Sequence, residues 1–269
     1  MLRQPAVAGR FYPAEPERLA QSIREFLEPA QERINALGVV VPHAGYMYSG
    51  HVAGAVYARI DLPQRNIVLC PNHTGFGTPL SIMKQGAWQT PLGDMRIDEE
   101  LCEALMTADA YLEDDMSAHR FEHALEVQLP FLQHIGGTSL QFVPITIGTS
   151  NLDRLEELGR AIAKVLQEVD RSALIIASSD MNHYESDAIT RVKDRKAIDR
   201  ILAMDPPGLY HVVRREKISM CGYGPAVAML TAAKLLGATR SELVKYATSG
   251  DVSLDFDHVV GYAGLIVSG

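Results

Sequence analysis

Cysteine is scarce in this chain: three occur among 269 residues, at Cys70, Cys102 and Cys221. An odd and scattered set argues against a disulfide framework and is typical of a protein from a reducing compartment. Positive charge is also in short supply, because 25 lysine and arginine residues face 33 acidic residues, for a net charge of -8. A surplus of negative charge repels polyanions, which argues against DNA or RNA as a partner.

Long apolar runs are missing as well. No stretch approaches the roughly 20 residues that a membrane-spanning helix needs, and the opening segment MLRQPAVAGRFYPAEP lacks the apolar centre of a secretory signal. The sequence also has no Ser/Gly-rich linker, low-complexity tract or repeat that would divide it. We therefore expect a cytoplasmic protein with no membrane contact and one domain over residues 1–269.

What the chain does contain is an alternation of short apolar runs with amphipathic segments. The length and β-branched content of the runs predict buried strands. These runs cover residues 38–41, 66–69, 140–147, 173–177, 243–247 and 261–267. Helical patterns follow Pro16, cover residues 152–169, and follow Pro225 as far as Gly237. We predict an α/β fold in which helices flank both faces of a central, mostly buried sheet.

Polar residues follow three of the predicted strands. His43 lies in PHAGY after the first, His73 lies in PNHTG after the second, and Asp180 and His183 lie in SSDMNHY after the fourth. Open α/β sheets bind ligands beyond the carboxyl ends of their strands. One histidine after a strand is commonly only a capping residue, but three at equivalent strand ends favour a shared site. If the strands are parallel neighbours, His43, His73 and His183 converge.

Two further candidates stand outside this pattern. His123 lies in FEHALEVQLPFL, and on a helix it would share a face with Glu126; a solvated helix start is the alternative. Cys221 lies in SMCGYGPAV, just before the helix at Pro225. A helix N-terminus lowers the pKa of a thiol and favours metal binding or nucleophilic attack. The alternative for Cys221 is a small buried apolar residue.

Six segments of the sequence resemble, in order, the motifs of the MEMO family, whose prokaryotic members are also called AmmeMemoRadiSam system protein B. The segments are RQPAVAGRFYP, VPHAGYMYSG, PNHTGFG, EHALEVQLPFL, SSDMNHY and MCGYGP. They begin at Arg3, and the resemblance continues to Gly264, so it covers nearly the whole chain. It implies a fold similar to the class III, LigB-type extradiol dioxygenases, which are non-haem iron enzymes. It also implies a functional link to a radical SAM protein.

Transferred residue by residue, the resemblance implies that His43, His73 and Cys221 bind one metal ion. It places His183 at the catalytic acid/base position, with Asp180 as its polar neighbour, and it places His123 in the same pocket. Cysteine stands where the dioxygenases have a carboxylate ligand. A thiolate is a softer ligand, so copper or zinc is plausible beside the iron(II) that we favour.

Three functions are consistent with these residues. The first, which we favour, is a metal-dependent, dioxygenase-like oxidoreductase of unknown substrate in which His183 moves a proton. The second is a metal- or partner-binding module without turnover. The third is a cysteine hydrolase with Cys221 as nucleophile, His183 as base and Asp180 as orienting group. For the first function, we expect Asp180 to hold one ring nitrogen of His183 and leave the other facing the pocket.

Overall fold

The computed structural model describes residues 1–27, 33–137, 139–169 and 172–269. Over these residues twelve strands form one mixed sheet. The strands are β1 (Leu2–Arg3), β2 (Ala36–Val41), β3 (Arg65–Pro71), β4 (Leu80–Ile82), β5 (Ala87–Thr90), β6 (Gly93–Ile97), β7 (Glu113–Asp114), β8 (Gln141–Ile147), β9 (Leu174–Ser178), β10 (His183–Glu185), β11 (Arg240–Thr248) and β12 (Val259–Ser268). All six predicted strands are confirmed.

Helices cover both faces of this sheet, as predicted. They are α1 (Pro16–Phe26), α2 (Tyr46–Ala58), α3 (Glu99–Ala108), α4 (Leu129–Gly136), α5 (Leu152–Glu168), α6 (Asp187–Leu202), α7 (Pro206–Arg215), α8 (Tyr223–Leu235) and α9 (Gly250–Ser253). None of the helices in the described part of the chain is both long and apolar enough to span a membrane.

The centre of the sheet consists of four parallel neighbours in the order β8, β3, β9 and β2. Their residues are almost all buried, because a parallel sheet is covered on both faces, and this explains their continuous apolar sequences. The carboxyl ends of the four strands lie at one edge of the sheet. The loops that follow β2, β3 and β9 therefore start side by side, which is the condition that the predicted site requires.

Helix α8 is nearly all apolar because it is buried between the sheet and α5. Helix α5 has one apolar side, which packs on α8, and one polar side, which faces solvent. The two helices approach closely at Gly159, where an added Cβ would lie 2.6 Å from the Ala228 carbonyl oxygen. The tight packing holds the start of α8, and with it the preceding Cys221 segment, against the edge of the sheet.

The predicted helix that pairs His123 with Glu126 is wrong, and so is the alternative of a solvated helix start. His123 lies in irregular chain, and a short 3-10 turn over Glu126–Gln128 precedes α4. Glu126 is fully buried, and its carboxylate accepts hydrogen bonds from the N-terminal segment, at the backbone N–H groups of Ala6 and Val7. There it forms an ion pair with Arg3 and accepts a hydrogen bond from the Tyr12 hydroxyl. These long-range contacts, rather than local helix propensity, determine the path of the segment.

Candidate metal centre

His43 follows β2 after a single intervening residue, Pro42, and its side chain is buried at the carboxyl edge of the sheet. Its Nδ1 lies 3.0 Å from the Ser178 Oγ. The Ser178 hydroxyl donates its own proton to the Ala124 carbonyl at 2.6 Å, so it accepts from His43, and Nδ1 carries the ring proton. The lone pair of the neutral imidazole therefore resides on Nε2, which faces the other site residues.

His73 follows β3 and is held by the buried carboxylate of Glu122. One oxygen of Glu122 lies 2.9 Å from His73 Nδ1, and the other accepts the His73 backbone N–H at 2.6 Å. Burial alone would raise the pKa of Glu122, but the hydrogen bonds from His73 and from the Ala124 backbone N–H hold that pKa below its ordinary value. The carboxylate is thus ionised and accepts from Nδ1–H, which leaves Nε2 free. Metal-binding histidines are commonly oriented in this way.

His123 completes a cluster of three imidazoles. Its ring stacks on His73 with 4.7 Å between the ring centroids, and its Nδ1 lies 3.4 Å from Glu122. One ligand atom from each of His43, His73 and His123 can be chosen so that all three lie within 4.8 Å of one another. Burial lowers the pKa of both His43 and His123, which favours the neutral form that binds metals.

Cys221 lies beside this cluster, with its Sγ 3.2 Å from His43 Nε2. Because that nitrogen carries a lone pair, the thiol is the donor in the contact. Burial raises the pKa of the Cys221 thiol, and the nearby Asp180 carboxylate raises it further. The lowered pKa that we predicted from the helix N-terminus is therefore wrong for the metal-free protein, because the cost of burying a thiolate exceeds the gain from the helix end.

Asp180 and His183 follow β9 at the same edge, but they do not pair as predicted. Asp180 accepts the backbone N–H of His43 at 2.8 Å, and burial raises the pKa of Asp180 to about 6. His183 Nδ1 instead lies 3.0 Å from the carbonyl oxygen of Ser219. The prediction that Asp180 orients the His183 ring is wrong, because Asp180 turns toward β2 while His183 continues into β10.

The fold brings the six predicted site residues to one edge of the sheet: His43, His73, His123, Asp180, His183 and Cys221. His183 is near enough to influence both His43 and Asp180 electrostatically. The roles of Ser178 and Glu122 were not predicted from the sequence. Ser178 offered a weak signal as the residue in which β9 ends, and Glu122 offered one as the direct neighbour of His123.

The donor set is suited to a transition metal. Imidazole nitrogen and thiol sulfur bind iron, copper or zinc in preference to magnesium or calcium, which favour oxygen ligands. The contacts of Cys221 and His183 fit the cysteine hydrolase less well. Cys221 touches His43 rather than the predicted base His183, and the His183 ring donates its hydrogen bond to the Ser219 carbonyl rather than to Asp180.

Comparison with known proteins yields consistent similarities. Residues 3–266 match the family model described as Memo-like protein. The chain is 45% identical to a MEMO1 family protein of Methanopyrus kandleri, with 99% of each chain covered. It is 44% identical to a MEMO1 family protein of Methanosarcina barkeri, over 99% of this chain and 100% of the relative. It is 43% identical to a MEMO1 family protein of Methanothermobacter thermautotrophicus, over 98% of this chain and 100% of the relative.

Proposed function

The chain belongs to the Memo-like protein family, and on this premise we propose that it binds one transition-metal ion and acts as a dioxygenase-like oxidoreductase. The observation that carries the proposal is the state of the two anchored imidazoles. His43 and His73 each have Nδ1 occupied by an acceptor, so each presents an Nε2 lone pair to the same space. A buried His43 and a more exposed His73 with only structural roles would not need to keep both Nε2 lone pairs free within one imidazole cluster.

We propose His43, His73 and Cys221 as the three ligands, with iron(II) favoured and copper or zinc as alternatives. The contact of 3.2 Å between Cys221 Sγ and His43 Nε2 supports this set, because the proton that the thiol shares with that nitrogen is the one a metal cation displaces. His123 is the competing third ligand, since it belongs to the imidazole cluster.

In this proposal the metal, when bound, supplies Lewis acidity and redox chemistry toward a substrate that remains to be identified. The protein supplies the proton transfer. His183 carries its ring proton on Nδ1, held by the Ser219 carbonyl, so its Nε2 accepts a proton from the substrate and later returns it. Asp180 holds the backbone N–H of His43 and so steadies that ligand rather than His183.

Replacing Cys221 by Ser tests the ligand set. We expect metal affinity to fall by more than the ~10–100-fold that is lost when only a hydrogen-bond partner of a ligand is removed. His123→Ala is the matched variant, and it is expected still to bind one metal ion per chain. Both are measured by anaerobic competition titration. If His123→Ala lost the metal while Cys221→Ser kept it, the third ligand would be His123.

The same titration has an expected pH dependence. Because the pKa of the Cys221 thiol is raised in the metal-free protein, metal binding must release the thiol proton. Affinity should therefore rise by about tenfold per pH unit while the thiol is protonated, and fall as the pH is lowered. Cys221→Ser should flatten this slope. An equal slope in the two proteins would show that another group releases the proton.

His183→Ala tests the proton-transfer role. We expect nearly unchanged metal affinity and a loss of turnover of ~100-fold or more, the usual scale for general acid/base catalysis. Turnover is measured as oxygen consumption with a substrate found by screening. If His183 is only structural, the variant should melt at a lower temperature while its activity per folded molecule stays that of the wild type.

A further inference from the structure

Two segments of the site run side by side in opposite directions, residues 179–183 after β9 and residues 219–222 before α8. Contacts join them along their length. These are Gly222 N to Ser179 Oγ at 3.0 Å, Cys221 Sγ to the Asp180 carbonyl at 3.7 Å, Ser219 N to Asn182 Oδ1 at 3.0 Å, and His183 N to Ser219 Oγ at 2.7 Å. One segment carries the proposed third ligand and the other carries the proposed proton-transfer residue.

Asn182 is the central residue of this arrangement. It is fully buried, and both ends of its amide are engaged. Its Oδ1 accepts from the backbone N–H and the hydroxyl of Ser219, at 3.0 and 3.1 Å. Its Nδ2 donates to a Glu185 carboxylate oxygen at 2.7 Å and approaches the Thr190 hydroxyl at 3.3 Å. These partners fix the amide orientation, because Ser219 N–H can only donate and an ionised carboxylate can only accept.

The backbone of Asn182 is tied to two further elements. Its N–H donates to Asp194 of α6 at 2.8 Å, and its carbonyl accepts from Gly261 of β12 at 2.9 Å. The residue is therefore immobilised by a helix and a strand of the scaffold. Through its hydrogen bonds Asn182 also fixes the position of Ser219, although Ser219 itself is exposed.

Ser219 in turn determines the state of His183. Its hydroxyl accepts the His183 backbone N–H, and its carbonyl oxygen lies 3.0 Å from His183 Nδ1. A carbonyl oxygen can only accept, so Nδ1 carries the proton and Nε2 is left unprotonated in the neutral ring. Without this contact either nitrogen could carry the proton. The position of the Ser219 carbonyl therefore selects the tautomer.

The same contacts leave little freedom for Cys221. Gly222 lies so close to the neighbouring segment that an added Cβ would be 2.3 Å from the Ser178 carbonyl oxygen. Cys221 is therefore held on both sides along the chain. Gly222 packs closely against the neighbouring segment, and Ser219 is hydrogen-bonded to Asn182. A displacement of Ser219 changes the position of the thiol and of the imidazole together.

We propose that Ser219 and Asn182 are positioning residues that form a clamp, which fixes the tautomer of His183 and the place of Cys221. The clamp rests on the proposed function in so far as those two residues have the roles given above. Neither Ser219 nor Asn182 is a proposed metal ligand or proton-transfer residue. They act through His183 and Cys221, and their removal should alter both.

The test uses Ser219→Ala in full-length protein with 15N-labelled histidine. In the metal-free wild type, NMR should show His183 as a single tautomer protonated on Nδ1, with assignment by a His183→Gln variant. Ser219→Ala loses the hydroxyl contacts to His183 N–H and to Asn182, so the Ser219 carbonyl is no longer held beside His183 Nδ1. The two tautomers should then mix, and iron(II) affinity should fall by ~10-fold, the lower end of the range for outer-shell partners. Ser219→Thr keeps a hydroxyl and should restore both properties.

Asn182→Ala is the second variant, since it breaks the clamp while leaving every group of Ser219 in place; it should give the same two changes. Ser139→Ala is the matched control, because its hydroxyl donates to the Gln64 side chain at the opposite edge of the sheet. A single unchanged tautomer and wild-type iron(II) affinity in both clamp variants would overturn the proposal, even if their melting temperatures fell. A wild type that bound no metal, with mixed tautomers in Ser219→Ala, would support the clamp and contradict the proposed function instead.

Discussion

Replacing His43 by Ala is expected to abolish stoichiometric metal binding. His43 is the site residue with the most contacts to its neighbours, since its ring touches Ser178 and Cys221 and its backbone N–H binds Asp180. Its removal takes away one proposed ligand and the acceptor of the Cys221 thiol at the same time. The loss should exceed the ~10–100-fold typical of outer hydrogen-bond partners, and is measured as metal content after dialysis against a weak competing chelator.

His211→Ala is the control for this experiment, because His211 is an exposed histidine of α7 whose ring packs against Tyr210. It should retain the wild-type metal content. The His43 variant must also be checked by circular dichroism, since it removes a buried side chain. A folded His43→Ala protein with wild-type metal content would show that His43 is not a ligand.

Replacing Glu126 by Ala should cause a large loss of stability, because the variant removes the carboxylate that pairs with the buried Arg3. Both Arg3 and Glu126 are buried, and their ion pair is reinforced by the Ala6 and Val7 backbone N–H groups and the Tyr12 hydroxyl. Removing one partner of a buried pair leaves the other charge buried and uncompensated. The free energy of unfolding should fall by about 3–5 kcal/mol, measured by urea denaturation.

Asp199→Ala is the matched control, since Asp199 forms an exposed ion pair with Arg195 on α6. Such pairs contribute about 0–1 kcal/mol, so the variant should unfold close to the wild type. If Glu126→Ala lost less than about 1 kcal/mol, water would have to reach the Arg3 guanidinium, and the pair would not be buried in solution. The effect bears on the site, because Arg3 also donates to the carbonyl of Glu122.

The central strands and the approach of His43 to His73 could be predicted from the sequence, but the third imidazole of the cluster is His123 rather than His183. Continuous β-branched runs indicate a parallel sheet, and parallel strands end at one edge. Helix α2 was missed for a physical reason. It is apolar and glycine-containing on nearly every side, because it is buried between the sheet and α1, so it has no amphipathic pattern to detect.

The roles of Glu122 and Ser219 could not be predicted, because they depend on contacts between distant parts of the chain. The segment around Glu122 is irregular and is held by Arg3, which lies 119 residues away. Asp180 and His183 are close in sequence, which suggested a pair, but the chain direction after β9 separates their side chains. Local spacing gives the residues that reach the site, whereas tertiary contacts decide which of them touch.

X-ray absorption spectroscopy of the wild-type protein loaded anaerobically with one equivalent of iron(II) tests the central claim most directly. We expect one tightly held ion with a mixed shell of nitrogen or oxygen neighbours at about 2.0–2.2 Å and one sulfur neighbour at about 2.3 Å. The sulfur contribution should disappear in Cys221→Ser. A shell without a sulfur neighbour, or iron that passes through a desalting column unbound, would contradict the assignment of a metal centre to His43, His73 and Cys221.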